Sequence, residues 1–207
     1  MKKRPHPQPL SRRERGVFVQ VLSQLSPVEP VVASSIFGTN SIEGGTLTEE
    51  ETQPVLDLDP AQVQEEEQLR AVNLKAAYDV AQQAATMPGW RLDVPFIQRV
   101  HAAIMRRLTH ANNQPGVFRD NPKAVKTYVG SQAHGGRYRP PQHGHDIETL
   151  MQALVTWHQE LEAHQIPALI RAPLVHYYYE LIHPFWDGNG RVGRVLEAAP
   201  QVRRIIP

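Results

Sequence analysis

The chain has no cysteine among its 207 residues. That excludes disulfides, thiol catalysis and cysteine-rich structural zinc, and it fits a reducing, cytoplasmic setting. An excess of one charge is also lacking: Lys plus Arg is 22 against Asp plus Glu at 21. No strongly positive field marks a nucleic-acid binder, so no nucleic-acid partner is expected. Long hydrophobic runs are missing too. The stretch VFVQVL, behind the basic MKKRPHPQPLSRRERG, is too short for a signal-peptide core, and no run reaches transmembrane length, so no membrane partner is expected. What is present is 41% apolar and 21% charged residues, the balance of a soluble globular core. Residues 1–30 read as a basic, Pro-rich disordered tail; with no aromatics among its charges, a nucleic-acid- or membrane-touching arm is the lesser reading.

Helical periodicity dominates the rest, and the expected class is mainly α with one small β-hairpin. In 61–87, Leu69, Val72, Ala76, Val80 and Ala84 share a face, and Pro88-Gly89 ends the run. Asp93 is placed to cap a second helix with Pro95 in its first turn and Phe96, Val100, Ile104 and Leu108 as core stripe. A third helix is predicted over 146–163, burying Ile147, Leu150, Leu154 and Leu161. A fourth, over 167–182, buries Leu174, Val175, Tyr178, Leu181 and Ile182, with Pro173 near an effective start or a kink. Between the second and third, residues 112–144 carry turn pairs at Pro115-Gly116 and Gly135-Gly136 and strand-like pieces VKTYV and RYR, the makings of the hairpin.

Residues 183–194 read HPFWDGNGRVGR. Asp-Gly and Asn-Gly favour hairpin turns, but the flanks have helical character, so a helix–loop–helix is expected. The backbone N–H groups of Gly188, Asn189 and Gly190 then lie at a helix N-terminus, where free donors and the helix dipole favour a phosphate. Arg191 and Arg194, three apart, can reach one anion. Asp187 is a hard oxygen ligand placed to hold Mg²⁺ against phosphate, and His183 is a base that works near neutral pH.

The dodecapeptide resembles the signature of Fic-domain (Fido) proteins, His-Pro-Phe-x-Asp/Glu-Gly-Asn-Gly/Lys-Arg-x-x-Arg, at all nine constrained positions. The resemblance extends upstream to about residue 34 through PGVFR, YVGS and RYRPP. It implies a Fic-type helical bundle with a β-hairpin flap over 61–207, and the activity of a protein adenylyltransferase. His183 would deprotonate a Ser, Thr or Tyr hydroxyl of a target protein for attack on the α-phosphate of ATP. Asp187 would bind Mg²⁺, while Gly188, Asn189, Gly190, Arg191, Val192, Gly193 and Arg194 would hold the nucleotide. Val129, Gly130 and Ser131 in the flap would register the target's backbone beside it. Phe185 is expected to anchor the loop in the core. A homodimer is compatible with the resemblance. Same-family alternatives are removal of AMP, transfer of another phosphate-containing group, or a remnant that only binds partners.

In the segment 31–60, Thr39-Asn40-Ser41-Ile42-Glu43-Gly44 resembles the family's inhibitory motif, Ser/Thr-x-x-x-Glu-Gly/Asn, in its N-terminal class. By that resemblance Glu43 pairs with Arg194 and withholds it from the γ-phosphate; alone, Glu43 reads as a surface acid before a Gly-Gly turn. Thr48 to Glu51 fits a capping box. After Arg194 the family continues with a long helix and more, whereas here VLEAAPQVRRIIP follows. Pro200 is expected to interrupt that helix, and the C-terminal helices to be cut short. His134, His143 and His145 lack acid or Cys partners at ligand spacing and rank below the main site as metal ligands. His176 is expected as a packed helix residue, and Tyr177, Tyr178 and Tyr179 as core and rim. Lys123, Lys126, Arg137 and Arg139 are expected to solvate the hairpin.

Overall fold

A computed structural model describes residues 28–108, 112 and 114–205. Among these, seven α-helices and one two-stranded sheet follow in order: α1 (Val28–Ile42), α2 (Glu49–Val55), α3 (Glu66–Thr86), α4 (Val94–Ile104), β1 (Val129–Ser131), β2 (Gly136–Tyr138), α5 (Gly144–Ala163), α6 (Ala168–Ile182) and α7 (Asn189–Ile205). The tail expected over 1–30 lies outside the described residues up to residue 27, and its last three residues open α1.

The helices begin where local chemistry dictates. Thr48 and Glu51 form the reciprocal capping box of α2, and Asp93 accepts the Phe96 N–H at the start of α4 with Pro95 in the first turn. α3 starts at Glu66 rather than 61, because Asp59 accepts from Ala61 N–H through its side chain and from Gln62 N–H through its carbonyl, holding a turn there. The strands are shorter than the strand-like sequence suggests. Residues 125–128 stay out of the ladder, the Thr127 N–H being taken by Gln142 Oε1 at 2.8 Å. Pro173 sits inside α6 on an exposed face, where water can serve the carbonyl it leaves unpaired. α7 runs through Pro200 to Ile205, so the expected interruption does not occur; the helix forgoes one backbone hydrogen bond instead.

α7 is the central helix, packed against α6, α3, α4 and α1. Because α3 is covered on several sides, its burial centres on Leu74, Ala77 and Ala81 and is broader than the single expected stripe. Phe96, Val100, Ile104, Ile147 and Phe185 are fully buried. Leu150, Tyr178 and Leu181, expected in the core, are instead exposed. They line an apolar groove of about 440 Å³ between α5 and α6, with Trp157 and Pro141.

Two buried polar side chains brace the 183–188 loop. Arg119, 1% exposed, directs Nε to the His183 carbonyl at 2.7 Å, Nη1 to Asn121 Oδ1 at 2.7 Å and Nη2 to the Pro141 carbonyl, while its backbone N–H meets the Pro184 carbonyl at 2.9 Å. Asn121 and Gln142 extend this network to Thr127 in the stalk of the hairpin. Burial lowers the Arg119 pKa to about 10, still a cation at neutral pH. His101 of α4 lies face to face on Phe185, ring centroids 3.6 Å apart. Its Nδ1 accepts the Gly116 N–H at 2.8 Å, so the ring proton is on Nε2, which donates to the Asp187 carbonyl at 3.2 Å.

Two outcomes follow from this bracing. Arg119→Lys supplies a point charge in place of a rigid fork and strands several carbonyls. It should lower stability by about 2–4 kcal/mol, seen as a reduced midpoint in urea unfolding. Burial, aided by the Arg191 charge, depresses the His101 pKa from 6.5 to about 4. Between those values the unfolded chain binds the extra proton, so stability is present above pH 6.5 and drains as pH falls toward 4. Lowering the pH from 7 to 5 should cost ~2 kcal/mol through this group. Buried His158, also shifted down, adds in the same direction. Urea titrations of wild type and His101→Gln at both pH values read the difference.

Candidate active site

The site is built on the reversal from α6 to α7. α6 is capped by His183, which takes the left-handed conformation at φ 49° and donates its N–H to the Tyr179 carbonyl at 2.9 Å. A non-glycine residue there is uncommon, though histidine is among those enriched in it. Phe185 then plugs the core, as expected from sequence, between the His101 ring and the tilted Phe118 ring. Asn189 holds the turn shut: its Oδ1 accepts the Phe185 N–H at 3.0 Å and its Nδ2 donates to the Phe185 carbonyl at 2.8 Å. The side chain of Asn189 is therefore a structural clamp, buried below the surface that its backbone helps to form. Gly188 has φ 77°, and a β-carbon there would stand 3.1 Å from Met105 Sδ, so glycine answers both backbone and space.

The N-terminus of α7 meets a carboxylate. Glu43 Oε1 lies 2.8 Å from Arg194 Nη1, a contact spanning 151 residues of sequence. The same oxygen would be 2.3 Å from a β-carbon built on Gly190, so the carboxylate rests directly on that glycine. α1 and its following turn deliver Glu43. Gly44 has φ 84°, Gly45 donates to the Asn40 carbonyl at 2.7 Å, and a β-carbon at Gly45 would collide with that carbonyl. Thr39 and Asn40 are buried behind it, and the Thr39 side chain bonds Tyr78 of α3, whose phenol burial pushes above its usual pKa. An anion, donors at a helix start and a guanidinium thus share one spot.

The remaining residues of HPFWDGNGRVGR divide. Arg191 is buried, with Nη2 on Asp187 Oδ2 at 3.1 Å and near Met105 Sδ, while its Nε and Nη1 are buried without a partner. Arg191 and Arg194 are thus directed to different carboxylates. Val192 is wholly in the core, and Gly193 admits α6: a β-carbon there would lie 2.4 Å from His176 Cδ2. Asp187 is partly exposed and also accepts the Gly188 N–H at 2.7 Å. No group of three His, Cys, Asp or Glu side chains that could hold a metal occurs among the described residues. A single carboxylate of this kind suits Mg²⁺ when phosphate oxygens and water complete the shell. His143 and His145 are exposed at the start of α5, and the side chain of His134 lies outside the described residues.

The hairpin stands beside the end of α6. Val129 pairs with Tyr138, Gly130 with Arg137 and Ser131 with Gly136. Gly130, at φ 86°, approaches its partner so closely that a β-carbon would lie 2.6 Å from the Gly136 carbonyl oxygen. Tyr138 ties the hairpin to the site, its hydroxyl donating to the Glu180 and Leu181 carbonyls at the last turn of α6. Burial first, and the Glu180 charge second, push the Tyr138 pKa up to about 12, so the phenol stays a donor. Sequence reasoning brought out the loop, Glu43 and the hairpin but passed over His101 and Arg119. The signal for His101 was a polar residue next to Val100 on an apolar stripe. Arg119 carried none beyond its place in PGVFR.

Known proteins share this fold. A model of the Fic/DOC family matches residues 91–199. The protein adenylyltransferase Fic of Drosophila ananassae is 28% identical over 165 residues, covering 78% of this chain and 30% of that protein; that of Drosophila mojavensis gives the same identity and coverage. The chain thus spans about a third of the length of these curated relatives. A Fic domain-containing signaling protein from Bacteroides thetaiotaomicron superposes with a TM-score of 0.76 at 21% identity, over 93% of this chain and 72% of that one. Fic-1 (residues 134–508) of C. elegans gives 0.67 at 19% identity, over 94% and 57%. At such identities the two structures speak for the fold alone. The family model takes in the hairpin, α5, α6, the loop and most of α7, more than half of the 207 residues, and the chain belongs to the Fic/DOC family.

Proposed function

We propose that this chain is a cytoplasmic protein adenylyltransferase that moves AMP from ATP to a Ser, Thr or Tyr hydroxyl of a target protein and is restrained by Glu43. The observation that carries the reading is the carboxylate of Glu43 resting on Gly190 and bonded to Arg194. A site that seats a carboxylate over free backbone donors and a guanidinium suits a phosphate in the same place. The relatives named protein adenylyltransferase support the reaction class, and the chain's freedom from cysteine accords with a cytoplasmic setting.

In the reaction, His183 takes the proton of the target hydroxyl. The oxygen attacks the α-phosphorus, the bond from that phosphorus to the bridging oxygen of the β-phosphate breaks, and pyrophosphate leaves. The backbone N–H groups of Asn189 and Gly190, that of Gly188 once released from Asp187 Oδ1, and Arg194 once free of Glu43 would hold the phosphates, with Arg191 behind Asp187. Asp187 would hold Mg²⁺, which supplies charge neutralisation on the phosphates when bound. The hairpin edge near Val129, Gly130 and Ser131 would take the target's backbone as an added strand. Catalysis here is mainly positioning and charge stabilisation.

Wild type, Glu43→Gly and His183→Ala are to be incubated with α-labelled ATP, Mg²⁺ and a cell lysate. Label on protein should rise about tenfold or more in Glu43→Gly, the size of a modest coupling energy, and vanish in His183→Ala. Labelling from γ-labelled ATP alone would make the transferred group phosphoryl and overturn the reaction. Equal absence of label with no ATP binding by calorimetry would leave a binding module.

A further inference from the structure

One turn before the loop, on α6, stands a carboxylate without a role so far. Glu180 Oε2 lies 3.6 Å from His183 Nδ1, and Glu180 Oε1 lies 4.0 Å from His176 Nε2. His176 Nδ1 in turn sits 2.8 Å from Glu197 Oε2 of α7. Acids and imidazoles therefore alternate from Glu197 through His176 and Glu180 to His183. Gly193 makes the room: its missing side chain lets α7 close over the pair, since a β-carbon there would be 3.0 Å from Glu180 Oε1. Both Glu180 Oε1 and His183 Nδ1 are sealed from solvent without a hydrogen-bond partner. Buried polar atoms in that condition are few, and two of them on facing side chains ask for a reason.

We propose that Glu180 is a positioning residue for His183, holding the imidazole by Nδ1 so that Nε2 is left to take the proton. The inference rests on the reading of His183 as the general base. An imidazole accepting at Nε2 carries its own proton on Nδ1, and the group bonded to Nδ1 decides that tautomer and the ring's orientation. A small rotation of either side chain closes the 3.6 Å separation to an N–H···O⁻ hydrogen bond. When the hydroxyl proton arrives at Nε2, the imidazolium faces a carboxylate. No atom of Glu180 touches the substrate in this arrangement; it acts through His183.

The surroundings leave this task to Glu180. On α6 the other titratable neighbours are His176 and Tyr179, the latter a fully buried phenol pushed well above its usual range by burial first and by the Glu180 charge second. From β2, Tyr138 faces the Glu180 and Leu181 carbonyls; from the preceding loop, Arg119 faces the His183 carbonyl. From α7, Glu197 is on His176 and Arg194 on Glu43.

The test compares Glu180→Ala and Glu180→Asp, each in the full chain carrying Glu43→Gly. Two readouts are taken: steady-state AMP transfer, and the His183 tautomer by ¹⁵N NMR without ATP. Glu180→Ala should lower kcat about tenfold to a hundredfold and leave KM for ATP within about twofold. The ring should shift from the Nδ1–H to the Nε2–H form, and Glu180→Asp should recover part of each effect. An unchanged tautomer in Glu180→Ala overturns the proposal, including when kcat falls together with thermal stability. A tautomer change combined with transfer that survives His183→Ala supports the pairing and overturns the general-base reading beneath it.

Discussion

A six-residue reversal between two packed helices cannot hydrogen-bond its own backbone, and the rest of the site depends on how that need is met. In the 183–188 loop three elements supply the partners. Asn189 of α7 takes both polar groups of Phe185, Arg119 takes the carbonyls of His183 and Pro184, and His101 of α4 takes that of Asp187. Each partner is buried, so each bond forms away from competing water and leaving it unmade is costly. Phe185 adds an apolar plug that fixes depth. The exposed rim of the loop is thereby determined from beneath, and His183 and Asp187 inherit fixed positions.

The same economy governs the approach of α1. Glu43 reaches the start of α7 because two glycines permit a turn that a β-carbon would strain or obstruct, and because buried Thr39 and Asn40 hold the end of α1 to the body. The ion pair is partly solvent-exposed, so its direct contribution to stability is small. Its weight lies in location: the carboxylate rests on Gly190 at the start of α7 and takes the Arg194 guanidinium. On the proposed reading, a weak contact placed there suits a restraint that has to yield.

The loop and its flanking helices were legible in the sequence because glycine, proline and helical periodicity mark them locally. Glu43 was legible only through the resemblance of Thr39 to Gly44 to the family's inhibitory motif, which implied its pairing with Arg194, 151 positions away; by itself it reads as a surface acid. Burial was read less well on α5 and α6. Leu150, Tyr178 and Leu181 follow the helical period as well as Ile147 and Val175 do, yet they face a groove, since periodicity identifies an apolar face and not what covers it. The hairpin strands shrank because Gln142, 15 residues after Thr127, claimed backbone that the pattern assigned to a ladder. Arg119 and Glu180 left almost no sequence signal: a buried arginine and a surface arginine are the same letter, the partners of Arg119 are mostly carbonyls, and Glu180 faces two histidines of its own helix end.

Gly190 carries a consequence for how such a chain can change over generations. Its α-carbon is the floor on which Glu43 rests, and any side chain added there would occupy the carboxylate's own space. On the proposed reading the phosphate uses that floor as well. Mutation at position 43 can therefore separate restraint from activity, whereas mutation at 190 removes both at once. Descendants that escape control are to be sought with altered residues on α1 and an untouched glycine on α7.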